Sequence, residues 1–457
     1  MVILRLTTLD EALELEEKEI INLHKTYLNP NLVSLLGLIK FDKVYKKAQG
    51  AVVKDEEGNE YLDFLGGYGA LNIGHNHPEV LAGLEKVKEM PNILQIALGR
   101  MSAVLAKNLA QITPGQLQKT FFGNSGAEAV EGALKIAKAA TKKHKIIYCE
   151  GSFHGKTMGA LTVTGREKYK TDFLPLVPNC EGVPYGDLES LEKKLKGQDV
   201  AAFIVEPIQG EGGIIVPPQG YLKQAEKLCH QYDALLIVDE IQTGFGRTGK
   251  MFACQYEDVN PDIMCLAKSL GGGVAPIGAY IATDKVYQRA YGSMEKATLH
   301  TSTFGGNTFA TAAGILSLEI IVRDNLAQEA LEKGNYLLTK LKDMQRKYSM
   351  LKDVRGKGLM IGLELEGSSS NLLNKLTGGT LENLSKEYFG SLVAGKLLKD
   401  YRIITAYTLN NPNVIRIEPP LNITHEQIDK LIFALEKIFS ENKGFIKMAL
   451  SNAKNIF

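Results

Sequence analysis

Two short apolar runs each end in a residue able to do acid–base or nucleophilic chemistry. Leu235–Val238 delivers the acid pair Asp239-Glu240, and the run from Ile263 to Ala267 delivers a single lysine, Lys268, directly before Ser269-Leu270-Gly271-Gly272-Gly273. A lysine closing an apolar strand is partly desolvated, which shifts it toward a useful nucleophile and base. One amine and one carboxylate meeting at strand ends suit a flat heteroaromatic cofactor, the amine forming a Schiff base and the acid partnering a ring nitrogen. Pyridoxal phosphate (PLP) is that cofactor. Asp239 is assigned to the ring nitrogen, because a pyridine withdraws electrons well only while that nitrogen keeps its proton. Ile241 then packs on the ring and Gln242 reaches the ring hydroxyl. The acid pair also reads as a turn cap or a metal site, although no suitably spaced His or Asp cluster follows it. No GxxxxGK[ST] phosphate loop occurs at Lys268.

Three further segments have the composition of a ligand cradle. Phe121-Phe122-Gly123-Asn124-Ser125-Gly126-Ala127-Glu128 reads as a strand ending in a turn that opens a helix. The free N–H groups of Gly126 and Ala127 there suit a phosphate. An ordinary helix capped by Ser125 fits the same residues, and Glu128 must point away from any dianion. In Gly151-Ser152-Phe153-His154-Gly155-Lys156, Phe153 is the candidate to stack on a planar ring, with core packing plus a turn as the alternative. Thr301-Ser302-Thr303-Phe304-Gly305-Gly306-Asn307 offers the Thr303 hydroxyl to a phosphate, or is simply a turn. His75 and His77 read as fixing a loop rather than binding metal, and no metal site is expected.

The positioning elements follow from the apolar pattern. From about Val80 to Val322 the chain repeats strand, loop and helix. The strand candidates are Thr120–Phe122, Lys145–Cys149, Ala201–Val205, Leu235–Val238, Ile263–Leu266 and Ile277–Ala282. They are continuous rather than alternating, as in a parallel sheet covered on both faces. Helices are expected over Ala127 to Ala140, Tyr221 to Tyr232, a long stretch from Thr308 to Tyr348, and Glu426–Phe439. Thr8-Leu9-Asp10-Glu11 has capping-box spacing and opens one surface helix through about Tyr27. Strands turning at Glu57-Gly58-Asn59, and later VRGKGLMIGLEL and NVIRIEPPLNIT, belong to a smaller α+β unit. Glu366–Ser370 reads as a polar surface insertion.

Bulk composition excludes several classes. A chain of 457 residues suggests two or three structural units, and a net charge of +1 favours neither nucleic acid nor an anionic membrane as partner. The 5 scattered cysteines form no CxxC pair, so a reducing, cytoplasmic location is expected. The N-terminus does not read as a signal peptide, and no apolar run reaches membrane-span length.

The segments NSGAEA, FHGK, EPIQGEGG, IVDEIQTGFGRTGK, LAKSLGGG, TSTFGGN and RIEPPL, in that order, resemble the class III aminotransferases, PLP enzymes of fold type I. The resemblance spans nearly the whole chain. It implies an α/β fold whose large domain holds a mostly parallel seven-stranded sheet, with a small α+β domain from both chain ends. Residues 1–80 would be the N-terminal segment of the small domain, 81–335 the large PLP-binding domain and 336–457 the C-terminal small domain. Lys268 and Asp239 are the implied catalytic residues. Phe153 and Ile241 lie on the two ring faces, Gln242 at the ring hydroxyl, and Gly126 and Ala127 at the phosphate. Thr303 reaches that phosphate from the partner subunit of a homodimer with shared active sites, or of a higher oligomer.

Within the family, FLGGYGALNIGH, EPIQGEGGIIVPPQGYL and IRIEPPLNIT read most like the members that act on putrescine. The implied reaction moves a terminal amine from putrescine to 2-oxoglutarate, giving 4-aminobutanal (which cyclises to 1-pyrroline) and glutamate, as in polyamine degradation. Members acting on ornithine, acetylornithine, cadaverine or 4-aminobutyrate share the core motifs. Many ornithine-type enzymes carry arginine where this chain has Lys156; that departure suits a diamine better, and lysine there can also bind an anion. By resemblance, Glu211 and Arg416 pair with each other while an amine without an α-carboxylate is bound, and Arg416 is released to bind the carboxylate of the keto acid. A buried arginine left unpaired would otherwise cost roughly 3–5 kcal/mol. A PLP-dependent mutase or decarboxylase on the same fold, and a non-catalytic PLP-binding protein, are the other classes. Retention of Asp239, Gln242, Lys268 and Thr303 together argues against the last.

Overall fold

A computed structural model of the chain describes residues 5–38, 41–94, 96–366 and 380–442. Three antiparallel strands open the architecture: β1 (Tyr45–Gln49), β2 (Val52–Asp55) and β3 (Glu60–Asp63). The central sheet follows, built from β4 (Leu117–Gly123), β5 (Lys145–Cys149), β6 (Cys180–Val183), β7 (Val200–Val205), β8 (Leu235–Asp239), β9 (Ile263–Leu266) and β10 (Gly278–Thr283). Its order is β4-β10-β9-β8-β7-β5-β6. Every neighbouring pair is parallel except those made by β10, which runs antiparallel to both β4 and β9.

The continuous apolar strands are continuous because both faces are covered. Phe203, Val205, Leu236, Val238, Met264 and Leu266 enter one core, shared with the helices Tyr221–Gln231 and Thr308–Arg323. Their alternates Ala202, Ile204, Ile237, Ile263 and Cys265 enter a second core, roofed by the helix Gly126–Thr141. Period-two alternation thus feeds two cores rather than one core and solvent.

The C-terminal part forms an antiparallel sheet of β11 (Leu351–Lys357), β12 (Met360–Leu365), β14 (Ala406–Tyr407) and β15 (Val414–Ile417), in the order β11-β12-β15-β14. Between them, β13 (Ile403–Ile404) pairs in parallel with β3, so strands from both ends of the chain share one sheet. The helix His425–Glu441 packs its apolar face, including Ile428, Leu431, Leu435 and Ile438, into the same core.

Several expectations change in detail. The single N-terminal helix is interrupted: Leu9–Leu13 has the expected Thr8/Glu11 capping box, but a second box at Glu16/Glu19 restarts the chain as Glu17–Leu23. Competing carboxylate caps explain the break. The stretch from Thr308 divides into Thr308–Arg323 and Leu326–Lys347 because Asn325 takes a left-handed conformation, φ 50°. Strand β6 had no sequence signal, since CEGV at an edge lacks an apolar run. Past Glu366, the segment read as an insertion lies outside the described residues. No helix among the described residues is long and apolar enough to cross a membrane.

Arg247 ties these parts together. It is fully buried and donates to Leu359 O (3.0 Å), Pro419 O (2.5 Å) and Asn72 Oδ1 (2.7 Å). Burial pulls its guanidinium down to about 10, with Glu418 and Asp63 opposing the shift. Arg247→Ala would orphan three acceptors drawn from three distant stretches of chain. We expect it to lower unfolding stability by about 3 kcal/mol or more, read from denaturant midpoints. A loss within about 0.5 kcal/mol, the scale of a surface substitution, would contradict this tethering role.

Candidate active site

Parallel strands place the ends of β7, β8 and β9 side by side, and each end delivers an ionisable group. Glu206 follows β7, Asp239 ends β8, and Lys268 follows β9 after Ala267. Open α/β sheets hold ligands at this carboxyl edge. A cavity of about 530 Å³ lies here, lined by these three residues and by Ser125, Gly126, Ala127, Phe153, His154, Ile241 and Gln242 among others.

Lys268 occupies the left-handed region at φ 50°, where a non-glycine residue costs about 1–3 kcal/mol and is held by its surroundings. Burial depresses its amine and Arg416 adds to the depression, while Glu418, Glu211 and Asp239 oppose it. The amine is therefore held nearer its neutral, nucleophilic form.

Asp239 is fixed through both oxygens. Its Oδ1 accepts the Ile241 N–H at 3.0 Å, and Oδ2 lies 2.7 Å from His154 Nδ1. With a carboxylate as acceptor, Nδ1 of the imidazole carries the proton, and the buried Nε2 has no partner among the described residues. Glu206 sits behind this pair. It accepts the Phe153 N–H at 2.9 Å and the Gly210 N–H at 3.0 Å, so it anchors the loop that carries Phe153. Burial pushes Glu206 up to about 7, Asp239 adds to the rise, and His154 with the two N–H groups opposes it.

The helix Gly126–Thr141 begins at the cavity. Ser125 caps it by accepting the Glu128 N–H at 3.2 Å, and Gly126 and Ala127 present first-turn N–H groups that no helical carbonyl can reach. Glu128 turns back to Asn124, accepting its backbone N–H at 2.7 Å and its amide at 2.9 Å. That orientation leaves the helix N-terminus free for an anion. A Cβ on Gly126 would meet Ile241 Cδ1 at 3.0 Å, so glycine keeps this end of the cavity open.

Glu211 and Arg416 come together beside the cavity, not on its wall. Glu211 Oε2 lies 2.5 Å from Arg416 Nη2, and both side chains are buried. It is a close ion contact that helps raise Arg416, although Nη2 and Nε of Arg416 have no partner in strict hydrogen-bond geometry among the described residues. Glu211 Oε2 also accepts the Leu409 N–H at 2.8 Å. Arg416 Nη1 reaches Glu418 Oε2 at 3.3 Å. Burial lowers the guanidinium pKa, but Glu211 and Glu418 outweigh it and the net shift is upward. The Tyr68 ring covers the guanidinium, with Cζ 5.1 Å from its centroid.

Of the residues singled out in the sequence, Gly126, Ala127, Phe153, Asp239, Ile241, Gln242 and Lys268 all line the cavity. Thr303 does not line the cavity of its own chain and lies on an exposed segment. Lys156 also stays off the wall, with Nζ 4.6 Å from the Tyr169 ring centroid. His75 holds a loop, pairing with Asp63 at 2.8 Å. The sequence reading passed over His154, Glu206, Glu418 and Tyr68. Glu206 had a signal of the same kind as Asp239, an acid closing a buried strand, whereas His154 had none apart from its neighbour Phe153.

The donor set fits PLP: an amine, a buried acid with its own orienting imidazole, an aromatic and an aliphatic wall, and free N–H groups at a helix start. Among the described residues, no group of His, Cys, Asp or Glu is placed to hold a metal ion.

Comparison with known proteins agrees in fold and length. The family model described as Aminotransferase class-III matches residues 39–439. The ornithine aminotransferase of Toxoplasma gondii is similar at 33% identity over 94% of this chain and 97% of that one, with a TM-score of 0.82. A second structure of that enzyme, with a TM-score of 0.83 and 33% identity over 95% of this chain and 98% of that one, is described as having partial occupancy of PLP at its active site. The acetylornithine aminotransferase of Elizabethkingia anophelis is 30% identical over 93% of this chain and 100% of that one, with a TM-score of 0.75.

The raised Glu206 gives a signed prediction. A carboxyl raised in the folded protein binds its proton where the unfolded chain has lost it, between the ordinary 4.5 and about 7, so its contribution to stability falls as pH rises through that window. Glu206→Gln removes this titration. Without cofactor, the variant's melting temperature should gain on that of the wild type as pH rises from about 5 to about 8. Parallel melting curves across that range would contradict the assignment.

Proposed function

The chain belongs to the class III aminotransferases and is a PLP-dependent transaminase, and we propose that it moves the terminal amino group of putrescine to 2-oxoglutarate. The products are 4-aminobutanal, which closes to 1-pyrroline, and glutamate. Bound in the cavity, the cofactor supplies an electron-poor ring that takes up negative charge from the carbon beside the transferred nitrogen. Gly126 and Ala127 hold the phosphate with their N–H groups. Asp239, oriented by His154, keeps the proton on the ring nitrogen. Phe153 and Ile241 would flank the ring, and Gln242 would serve its hydroxyl. Lys268 Nζ would anchor the cofactor and, once the donor amine has displaced it, would be free to take the proton from the donor's amine-bearing carbon.

The observation that carries the reading is the Glu211–Arg416 pair. A diamine brings no carboxylate, so Glu211 stays on Arg416 and keeps the buried cation neutralised. The keto acid brings one, and the Nε–Nη2 edge can receive it in bidentate fashion once Glu211 turns away. One site thereby serves two substrates of opposite charge.

A second copy of the chain completes the site. Leu94, Ile96, Leu98, Met294 and Phe304 are large apolar residues exposed on the segments around Thr303. Thr308 joins these segments by donating to Pro91 O at 2.7 Å. A partner subunit covering this face brings its Thr303 to the neighbouring phosphate. A cytoplasmic location accords with five cysteines that are all free. Ornithine is the rival donor, favoured by the likeness to the Toxoplasma gondii enzyme.

A half-reaction screen decides between donors. Holoenzyme mixed with single amines should lose the visible absorbance of its cofactor fastest with putrescine. Fast conversion by ornithine or 4-aminobutyrate but not by putrescine would overturn the assignment. The switch has its own test: Glu211→Ala should slow the amine half-reaction at least about tenfold more than the keto-acid half-reaction, a part of the cost of a bare buried charge because Glu418 still contacts Arg416. Equal losses in the two half-reactions would reject it.

A further inference from the structure

Glu418 is a carboxylate that neither cofactor binding nor the exchange of substrates has yet used. It follows β15 two residues after Arg416, is fully buried, and lies 3.3 Å from Arg416 Nη1. Gln242 Nε2 donates to both of its oxygens at 3.1 Å. Its backbone is held from three sides. The N–H donates to Phe64 O at 2.8 Å, a Cβ on Gly66 would meet its carbonyl oxygen at 2.3 Å, and Arg247 grips the next carbonyl, Pro419 O, at 2.5 Å. Glu211, by contrast, lies in the turn after β7 and makes its aligned bond to Leu409 N–H. Arg416 therefore has one counter-ion built into a strand end and another on a turn.

We propose that Glu418 is the specificity-determining residue of the arginine site: a fixed counter-ion that weakens the hold of Arg416 on carboxylates and tilts the enzyme toward amines that lack one. This deepens the donor reading above and rests on it. When Glu211 turns away, Glu418 stays, so an incoming carboxylate meets a guanidinium already partly neutralised and a like charge a few ångströms off. Arg247 feels this charge but makes no hydrogen bond to the Glu418 carboxylate, its guanidinium being directed to Leu359 O, Pro419 O and Asn72 Oδ1.

Glu418→Gln keeps the shape and removes the charge. Glutarate, an unreactive dicarboxylate, should bind the holoenzyme of this variant roughly tenfold more tightly than wild type, measured by calorimetry, as expected for losing one nearby like charge. The KM for glutamate should fall by a similar factor relative to the KM for putrescine. If Glu418 does no more than orient Gln242, all ligands weaken together and glutarate gains nothing, which overturns the proposal. Glu418→Ala removes charge and side chain alike and must move glutarate in the same direction; an opposite movement also overturns it. The two readings fail separately: tighter glutarate with no turnover of putrescine would leave Glu418 its role and discard the diamine.

Discussion

A guanidinium with no access to water has to be neutralised where it stands, and Arg416 is such a group, with none of its side chain exposed. Much of the local architecture answers that requirement. Strand β15 delivers Arg416 and, just past its end, Glu418; a turn after β7 delivers Glu211, and the Tyr68 ring covers the guanidinium face. Breaking a buried pair typically costs 3–5 kcal/mol, so a counter-ion can leave only when another anion takes its place. An exchange of that kind is what two substrates of unlike charge demand from one site.

The second dependence runs through the central sheet. Because β7, β8 and β9 are parallel neighbours, their carboxyl ends bring Glu206, Asp239 and Lys268 to a common edge without any loop having to fold precisely. Loops then refine what the strands supply. The segment after β5 adds Phe153 and His154, held by Glu206 through the Phe153 N–H, and His154 in turn orients Asp239. A strained backbone at Lys268 and burial of its amine complete a centre in which the acid and the base are kept in different electrostatic surroundings.

Much of this was legible in the sequence. Apolar runs ended by an acid, a lysine or a glycine turn marked the strand ends to within about one residue, because burial on both faces leaves a continuous hydrophobic signature. Edge strand β6, with no such burial to enforce it, left no trace. Partnership across the fold was also invisible. His154 lies far from Asp239 in sequence, and nothing in FHGK states which of its residues faces the acid. Glu418 was read only as part of a motif, since its meaning depends on Gln242 and Arg416 meeting it from different elements. The break at Glu14–Glu16 shows the opposite case, where a local capping signal was present but outweighed by the apparent continuity of the helix.

If Glu211 leaves Arg416 when a carboxylate arrives, crystal structures of the holoenzyme with each substrate class will show it directly. With a bound diamine, Glu211 should remain in contact with Arg416, near the 2.5 Å seen here. With a bound dicarboxylate, the ligand should occupy the Nε–Nη2 edge of Arg416, with Glu211 turned away and Glu418 unmoved. A Glu211 carboxylate that stays on Arg416 in both complexes, with the dicarboxylate held elsewhere, would contradict the account.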